Sequence, residues 1–440
     1  MQCDPIQLEN IAINFLAFAD DIVLLSTSQS GLQYSLNLFE KYCSKWRLTV
    51  NMKKTKVIIF NSSKIKAKFY FCNVKISEAK DYTYLGIVFK KDGSMCHAMK
   101  VLNSKALKAQ FSLKQTFYNG NPKVLLKLYD SLIKPISLYG SEVWAQDILK
   151  WNECSMDQIL LNESYLFDKT FMRLCKHSLK VNKSCSNLPV RGELGVYPLI
   201  IQVCISMLKF WLHSRQSPKE SIIYKVTNIE KSKQEPNFKT IINKITGLDL
   251  DFASLDKKGS DSLIANVKSK LKSMYEQLFF NKINVSDDSP SKFRVYNKWK
   301  KNYIFEKYLY NNVPNKEYLT KIRLSCHSFP IEVGRWFRVD KTKRLCYLCK
   351  QNVIGDEMHV LFECNNTELK EARNKFMSLI GNKSHQTFML DNKSLFIYCM
   401  LGHDNAIIST ICNYMKRVID ITYNLKKQFS DRELRIWFDK

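Results

Sequence analysis

Two short apolar runs near the N-terminus, residues 15–19 and 22–25, enclose the neighbouring aspartates Asp20 and Asp21. Each run has the length and composition of a buried strand, and acidic residues between such runs are typical of a tight hairpin turn. Ionised carboxylates are costly to bury unless they are paired or bind a metal. Two adjacent ones suit Mg²⁺, which prefers oxygen ligands. The pattern predicts either a hairpin with a Mg²⁺ site of the nucleotidyl-transfer kind or an ordinary solvated turn.

A helical periodicity follows this hairpin. From Gly31 onward, apolar residues recur at spacings of three or four, which predicts a helix with one stripe facing a sheet. The stripe consists of Leu32, Leu36, Phe39, Cys43 and Trp46. Further strands are predicted over residues 57–60, 69–71 and 82–89. Residues 1–92 therefore predict an α+β unit with helices on one face of an antiparallel sheet.

From residue 93 onward the pattern becomes mostly helical. The polar breaks Glu235-Pro236-Asn237 and residues 286–291 divide this part into three segments, 93–230, 231–290 and 291–440. The most apolar stretch, residues 196–212, contains Pro198, Gln202 and Lys209, and predicts a buried helix rather than a membrane span. The N-terminus lacks a signal-peptide pattern. We therefore expect an intracellular protein, nuclear or cytoplasmic, without a membrane partner.

The chain is strongly basic, with 68 Lys and Arg against 41 Asp and Glu in 440 residues and a formal net charge of +27. Such an excess is typical of a protein that binds a polyanion, most often nucleic acid. Residues 93–129 contain six lysines and no acid, which indicates either a solvated face or a phosphate-binding helix. These lysines are Lys100, Lys105, Lys108, Lys114, Lys123 and Lys127.

A second basic stretch, residues 293–303, alternates aromatic and cationic side chains. Aromatic rings can stack on the bases of single-stranded nucleic acid while cations contact its phosphates. Aromatic residues at helical spacing also form ordinary protein cores. Both interpretations remain open at this point.

The C-terminal region contains a compact cysteine and histidine pattern. Cys346, Cys349, His359 and Cys364 have the spacing C-x2-C-x9-H-x4-C, which predicts a closed, structural Cys3His zinc site whose folding depends on the metal. Cys326-His327 could replace a ligand but ranks lower, and the alternative is four unlinked residues. The other cysteines, of fourteen in total, have irregular spacings that suit a reducing compartment.

Taken in order, these motifs resemble the C-terminal half of a non-LTR retrotransposon (LINE-type) reverse transcriptase with a C-terminal zinc knuckle. Phe18-Ala19-Asp20-Asp21 is similar to motif C, which implies that both aspartates bind Mg²⁺. Residues 51–56 resemble motif D, which implies that Lys54 or Lys56 assists the leaving pyrophosphate. Tyr84-Leu85-Gly86 resembles the primer grip, which holds the growing 3′ end.

The later motifs extend the resemblance. Residues 128–144 resemble the thumb signature, and residues 191–198 resemble another element beyond the thumb. Residues 334–336, together with the Cys346 cluster, resemble the zinc-knuckle region. The resemblance implies the C-terminal part of a palm over residues 1–92, a helical thumb over 93–230, a connector over 231–290 and a nucleic-acid-binding region over 291–440. It implies an RNA template and a DNA primer as partners and leaves the oligomeric state open. The candidate nucleic-acid contacts are Lys100, Lys105, Lys108, Lys114, Arg335 and Arg344.

One departure from the family pattern bears on activity. A palm needs a further aspartate on an earlier strand, motif A, and fingers that close on the nucleotide. Of the residues before Asp20, only Asp4 and Glu9 are acidic, and neither lies on a suitable strand pattern. We therefore expect a truncated copy of an RNA-directed DNA polymerase that is inactive alone. The alternatives are a non-catalytic RNA- or DNA-binding module and a retroelement relic without function.

Overall fold

The structure is a computed structural model of the 440-residue chain, and it has the α+β character that the sequence predicts, with strands in the first 90 residues and helices after them. The described residues are 3–8, 11–60, 67–117, 121–149, 151–228, 238–248, 257–286, 291–310, 312–383 and 389–438. The predicted break at Glu235-Pro236-Asn237 lies outside them, as does most of the break at 286–291.

Within the described residues, the strands form four small sheets rather than one. Three are antiparallel hairpins: β1 (Ile6–Leu8) with β2 (Ile11–Ile13), β3 (Phe15–Phe18) with β4 (Asp21–Leu24), and β8 (Asp81–Tyr84) with β9 (Ile87–Lys90). The fourth has the order β5 (Lys56–Val57), β7 (Val74–Glu78), β6 (Phe69–Phe71), with a parallel β5–β7 pair and an antiparallel β6–β7 pair.

Two strand predictions need correction. The segment predicted as one strand over residues 82–89 is the β8–β9 hairpin, which reverses at Leu85 and Gly86. Two-residue hairpin turns usually contain Asn-Gly or Asp-Gly, so Leu-Gly gave no turn signal. The strand predicted over residues 57–60 is limited to β5, and β7 was not predicted at all.

Helix α1 (Gln29–Trp46) confirms the first predicted helix. The Ser28 hydroxyl accepts a hydrogen bond from the Gly31 backbone N–H at 3.0 Å, which satisfies one of the free donors of the first turn. Leu36 and Cys43 are buried in a core with Val57, Phe69, Phe71 and Ile76. Trp46, which the stripe included, is 59% exposed, so the stripe ends one turn earlier than predicted.

The β6 edge of the three-stranded sheet is covered by a side chain of α1. The Gln33 amide group donates to the Tyr70 carbonyl at 2.8 Å, and the Gln33 carbonyl oxygen accepts from the Tyr70 N–H at 2.9 Å. Glu40 accepts from the Cys72 N–H at 3.1 Å. These side chains occupy backbone groups that would otherwise form an open sheet edge.

The rest of the described chain is helical. Its α-helices are α2 (Cys96–Thr116), α3 (Pro122–Leu128), α4 (Lys134–Ser137), α5 (Ser141–Ile148), α6 (Met156–Leu161), α7 (Leu166–Ser178), α8 (Asn187–Leu194), α9 (Ile200–Gln216), α10 (Ile222–Asn228), α11 (Phe238–Thr246), α12 (Lys257–Ile283), α13 (Phe293–Tyr296), α14 (Lys316–Arg323), α15 (Pro330–Trp336), α16 (Thr367–Gly381), α17 (Asn392–Leu401), α18 (Ile408–Lys427) and α19 (Asp431–Phe438). Tyr129–Ile133 and His359–Glu363 are π-helical, and Lys307–Leu309 and Lys341–Lys343 form 3-10 turns.

Helix α9 confirms the prediction of a buried helix, since most of its apolar residues are fully covered. In the described part of the chain, no helix has both the length and the apolar composition of a membrane span.

The chain divides into two compact units, each built from three segments. One comprises Met1–Lys108, Lys134–Asp168 and Pro198–Ser273, and contains the sheets together with α5 packed on α9. The other, here called the C-terminal unit, comprises Ala109–Ile133, Lys169–Tyr197 and Met274–Lys440, and in it α18 packs against α14 and α16. The four segments predicted from the sequence remain a prediction.

Candidate nucleic-acid and metal sites

The β3–β4 hairpin presents Asp20 and Asp21 at its tip. Phe18 pairs with Asp21, so Ala19 and Asp20 form a two-residue turn, with Ala19 at a φ of 53°. Both aspartates are solvent-exposed. Because two-residue turns fix the register of a hairpin, the two carboxylates belong to one well-defined element.

The strands beside the aspartates are more exposed than predicted. Phe15 and Phe18 are 61% and 64% exposed, because this sheet has two strands. Among the described residues, no third carboxylate, cysteine or histidine joins Asp20 and Asp21 in a group that could bind a metal. Asp4 instead accepts a hydrogen bond from Ser28 at the start of α1. Glu9 lies outside the described residues.

The two candidate lysines of the motif D resemblance differ in their surroundings. Lys54 is exposed in a turn whose backbone is fixed by hydrogen bonds to the Asn51 carbonyl and side-chain oxygens at 3.1 and 3.3 Å. The ammonium group of Lys56 donates to the Ser77 hydroxyl at 2.7 Å on β7. Lys54 therefore has the more accessible ammonium group for an incoming phosphate.

The turn at Leu85 and Gly86 is fixed by the segment that follows α4. Leu85 has a φ of 47°, which is unusual for a bulky residue, and Gly86 has a φ of 83°. The Tyr139 hydroxyl donates to the Leu85 carbonyl at 3.0 Å. A Cβ at Gly140, whose φ is 62°, would lie 2.7 Å from Ile87 Cδ1. Residues 84–86 and 139–140, which the resemblance assigns to different motifs, thus form one local structure.

Three of the candidate lysines lie exposed on α2: Lys100, Lys105 and Lys108, here called the α2 basic face. Lys114 differs, because it is half-buried and donates to the Arg173 carbonyl at 3.4 Å. Burial, with the nearby charges of Arg173 and Lys183, lowers the pKa of Lys114. Its ammonium group is therefore less accessible to a phosphate than those of the α2 basic face.

The aromatic and basic stretch at residues 293–303 is core, so the single-strand-binding interpretation of this stretch is wrong. Tyr296, Trp299 and Tyr303 are each at most 7% exposed. Two of the cations of this stretch are also buried, with Arg294 paired with Glu357 and Lys300 with Glu306. Helical spacing of aromatics, rather than their alternation with cations, was the informative signal.

The structure brings the four predicted zinc ligands together. Their ligand atoms all lie within 4.8 Å of one another. The Cys346 and Cys364 sulfurs are 3.9 Å apart, and the Cys349 sulfur lies 3.5 Å from His359 Nε2. A tetrahedral site with Zn–S bonds of about 2.3 Å needs sulfurs about 3.8 Å apart. The donor set and its dimensions are therefore compatible with zinc.

Backbone hydrogen bonds hold these ligands in place. The Cys346 N–H donates to the Val353 carbonyl at 2.8 Å, and the Cys364 N–H donates to the His359 carbonyl at 2.7 Å across the π-helical turn. His359 directs Nε2 at the cluster while Nδ1 lies 3.9 Å from Glu363, an outer partner of the kind that orients histidine ligands. The hydrogen bond from Cys346 lowers the pKa of the Cys364 thiol to about 4, which favours the ligating thiolate.

The residues around the cluster have structural partners. Arg344 is 5% exposed and donates to the Val339 carbonyl through Nε at 3.0 Å, so it is not accessible to a polyanion. Arg335 is partly exposed and pairs with Glu332. His327 Nε2 lies 3.3 Å from the Glu357 carboxylate rather than in the cluster. Burial alone would raise the pKa of Glu357, but the charge of Arg294 and the hydrogen bond from His327 outweigh this effect and lower the pKa to about 2.

The segment at residues 191–198 contains a buried ion network that sequence reasoning missed. Glu193 is fully buried and accepts from Arg323 Nη2 at 2.8 Å, from Arg323 Nε at 3.0 Å and from the Tyr308 hydroxyl at 2.6 Å. Arg323 also lies 2.9 Å from Glu306, which is 2.5 Å from Lys300. Two acids thus balance two bases inside one unit. The signal available in the sequence was an acid between two glycines, Gly192 and Gly195.

Comparison with known proteins supports the assignment of the N-terminal region. Residues 3–89 match the family described as "Reverse transcriptase (RNA-dependent DNA polymerase)". A transposon-derived protein of Caenorhabditis elegans is 29% identical over 134 residues, which cover 29% of this chain and 48% of that protein. The chain therefore spans about half the length of this relative. The N-terminal region is similar to reverse transcriptases, and the chain is similar to a transposon-derived protein.

Proposed function

We propose that this chain is a LINE-type retrotransposon reverse transcriptase polypeptide in which residues 1–92 provide the C-terminal part of the palm. The observation that carries the proposal is the position of Asp20 and Asp21 on a hairpin tip inside the region similar to reverse transcriptases. After the two aspartates, the chain continues with Lys54 and then with the turn at residues 84–86. This is the order expected of motif D and the primer grip.

In this proposal each element has a separate task. Asp20 and Asp21 would hold Mg²⁺, which stabilises the attacking 3′-hydroxyl and the triphosphate. Lys54 lies exposed and would donate to the leaving pyrophosphate. Tyr139 donates to the Leu85 carbonyl and would thereby hold the Leu85–Gly86 turn against the primer end.

The proposal separates metal binding from catalysis. With Fe²⁺ in place of Mg²⁺ and an RNA–DNA primer–template bound, hydroxyl radicals should cleave the chain next to residue 20. The same 440 residues should incorporate no dNTP, because a palm binds its metal ions with three carboxylates and only Asp20 and Asp21 are present. Cleavage is read by gel electrophoresis and incorporation by primer extension.

The double variant Asp20→Asn with Asp21→Asn is the control, and it should abolish the cleavage at residue 20. Cleavage that persists in this variant would remove the metal-site proposal. Primer extension that Asp20→Asn abolishes would show that the chain is a complete polymerase, contrary to the expected inactivity.

A non-catalytic nucleic-acid-binding module is the second candidate, favoured by the α2 basic face and the net charge of +27. Lysines that contact phosphates release counterions, so affinity falls with salt in proportion to the number of contacts. We propose that the α2 basic face contacts phosphates in both candidates.

Replacing Lys100, Lys105 and Lys108 by glutamine should weaken binding to an RNA–DNA duplex. The slope of log K against log salt should decrease by about 0.7–0.9 for each phosphate that is no longer neutralised. Fluorescence anisotropy at several salt concentrations measures both quantities. The control replaces three exposed lysines outside α2, Lys219, Lys239 and Lys268, and should change the slope less. Equal slopes for the two triple variants would contradict a specific role of α2.

A further inference from the structure

The C-terminal unit carries half-exposed aromatic side chains with cations over their rings. Trp336 at the end of α15 is 53% exposed, and Lys426 Nζ lies 5.7 Å from its ring centroid. Tyr423 on α18 is 51% exposed, and Lys427 Nζ lies 4.4 Å from its ring centroid. A spacing of three residues places Tyr423 and Lys426 side by side on the surface of α18. The two half-exposed rings therefore belong to one surface.

Helix α19 adds a third ring and a third cation to this surface. Arg435 Cζ lies 5.2 Å from the ring centroid of Phe337, which follows Trp336 directly in the chain. Phe337 also contacts the buried Phe438, with 6.4 Å between the ring centroids. We call this surface the aromatic–cation surface, and it consists of Trp336, Phe337, Tyr423, Lys426, Lys427 and Arg435.

The zinc-binding segment anchors the helices that carry these rings. The Trp437 Nε1–H donates to the Leu345 carbonyl at 3.2 Å, directly before the first cysteine of the cluster. The buried Tyr347 ring contacts Phe429 after α18 and Phe438 on α19, with centroid distances of 5.6 and 6.2 Å. The aromatic side chains are therefore positioned before a ligand arrives, which lowers the entropic cost of binding.

The cations of the aromatic–cation surface have charge available for phosphates. Lys427 and Arg435 form no ion pair within the part of the chain that the structure describes. Lys426 lies 3.9 Å from the carboxylate of Asp431, which is 77% exposed. Exposed pairs of this kind contribute little free energy, so a phosphate can replace the carboxylate. The surface thus presents aromatic rings and cations side by side.

We propose that the aromatic–cation surface binds single-stranded nucleic acid by stacking bases on Trp336 and Tyr423 while its three cations contact phosphates. Aromatic rings beside cations bind unpaired bases with little dependence on sequence. A duplex keeps its bases stacked on one another, so the surface should prefer single strands. The inference rests on the proposed nucleic-acid binding of this chain. It adds the single-stranded form of the ligand and a surface separate from the α2 basic face, which belongs to the other unit.

The test measures binding of the full chain to a short oligouridine by fluorescence anisotropy. The double variant Trp336→Ala with Tyr423→Ala should weaken this binding by about fivefold or more for each base that no longer stacks. Binding of an RNA–DNA duplex should change little. Oligodeoxythymidine should show the same loss as oligouridine, because stacking does not depend on the sugar. An abasic oligonucleotide of the same length has no base to stack, so the unchanged chain and the variant should bind it equally.

The matched control is the double variant Tyr42→Ala with Trp46→Ala on α1. These side chains are 53% and 59% exposed, their ring centroids are 6.3 Å apart, and Lys45 Nζ lies 5.7 Å from the Trp46 ring centroid. The control removes an aromatic pair of similar exposure from the other unit, and the affinity for oligouridine should stay as in the unchanged chain.

Two further measurements do not depend on the folding of the double variant. Oligouridine that contains photoreactive iodouridine should crosslink to Trp336 or Tyr423 of the unchanged chain, as mapped by peptide mass spectrometry. Lys427→Gln should lower the slope of log K against log salt for oligouridine by about 0.7. The preference for oligouridine over the abasic strand should remain in this variant, because both stacking rings are kept.

Equal affinity of oligouridine for the unchanged chain and for Trp336→Ala with Tyr423→Ala would overturn the proposal. Crosslinks confined to other residues, or an equal loss of abasic binding, would overturn it as well. Polyglutamate that competes as well as oligouridine would assign the surface to acidic proteins instead. Duplex binding that still depends on the α2 basic face would leave the proposed function intact in each of these cases. An unchanged chain that binds neither single strands nor duplexes would reject both proposals.

Discussion

Replacing Glu193 by alanine should lower the free energy of unfolding of the C-terminal unit by about 3–5 kcal/mol, because the change leaves buried cations without their partner. Arg323 would keep Glu306, but Lys300 uses the same carboxylate, so two buried positive charges would share one negative charge. The Tyr308 hydroxyl would also lose the Glu193 carboxylate as a partner and keep only the Thr320 hydroxyl at 2.9 Å. Urea denaturation followed by circular dichroism or tryptophan fluorescence measures this loss.

The matched control is Glu317→Ala, which removes a glutamate from a partly exposed pair with Lys180 at 3.6 Å. Exposed pairs of this kind contribute about 0–1 kcal/mol. The double variant Glu193→Gln with Arg323→Met should be less destabilised than Glu193→Ala, since it leaves the neutral pair Glu306–Lys300. Equal effects of Glu193→Ala and Glu317→Ala would show that the buried network is not important for stability.

The same network makes stability depend on pH. Burial raises the pKa of Glu193, but the charges of Arg323 and Lys300 outweigh it, so the folded pKa lies below the ordinary value of 4.5. The unfolded chain therefore takes up the proton first as the pH falls. The contribution of Glu193 to the free energy of unfolding is complete above about pH 4.5 and decreases as the pH falls through the pKa of the folded state. The difference between the unchanged chain and Glu193→Gln should shrink over that acidic range.

Removing zinc should unfold the region around Cys346, Cys349, His359 and Cys364. Structural zinc contributes apparent binding free energies of about 10–16 kcal/mol in small zinc-dependent folds at pH 7. The chain should contain one zinc ion, measured by mass spectrometry of the metal, and a strong chelator should abolish the cooperative unfolding of this region. Cys346→Ser should have the same effect, because Cys346 is fully buried in the cluster.

A matched cysteine outside the cluster separates zinc binding from loss of a thiol. Cys399→Ser replaces a fully buried cysteine on α17 and should keep the zinc ion. A chain purified without zinc that unfolds at the same temperature with and without chelator would contradict the zinc site. Zinc loss in Cys399→Ser would indicate a general folding defect instead.

The predictable parts of this protein are local in sequence. The stripe of α1 and the spacing of Cys346, Cys349, His359 and Cys364 each lie within a short segment, so periodicity and spacing were sufficient. The ligand atoms of that cluster indeed lie within 4.8 Å of one another. Asp20 and Asp21 were likewise placed on a hairpin turn by the apolar runs beside them.

The parts that the sequence did not reveal depend on distant partners. Glu193 and Arg323 are 130 positions apart, and no local pattern indicates that they pair. The core role of residues 293–303 depends on Glu357 and Glu306, which neutralise its two buried cations, Arg294 and Lys300. The turn at Leu85 and Gly86 has leucine where asparagine or aspartate is usual, and a side chain of another segment, Tyr139, holds it.

Helix α8 also determines how this chain can be shortened. A version that starts at residue 291 would keep Arg323 and the zinc ligands but lose Glu193, one of the two acids that pair with Arg323. It would also uncover Tyr296, since the space for a Cβ at Gly192 lies 2.5 Å from the Tyr296 hydroxyl. An expression boundary chosen from the zinc-binding motif alone therefore falls inside a folded unit. A soluble shorter version has to begin upstream of α8, or receive α8 as a separate peptide.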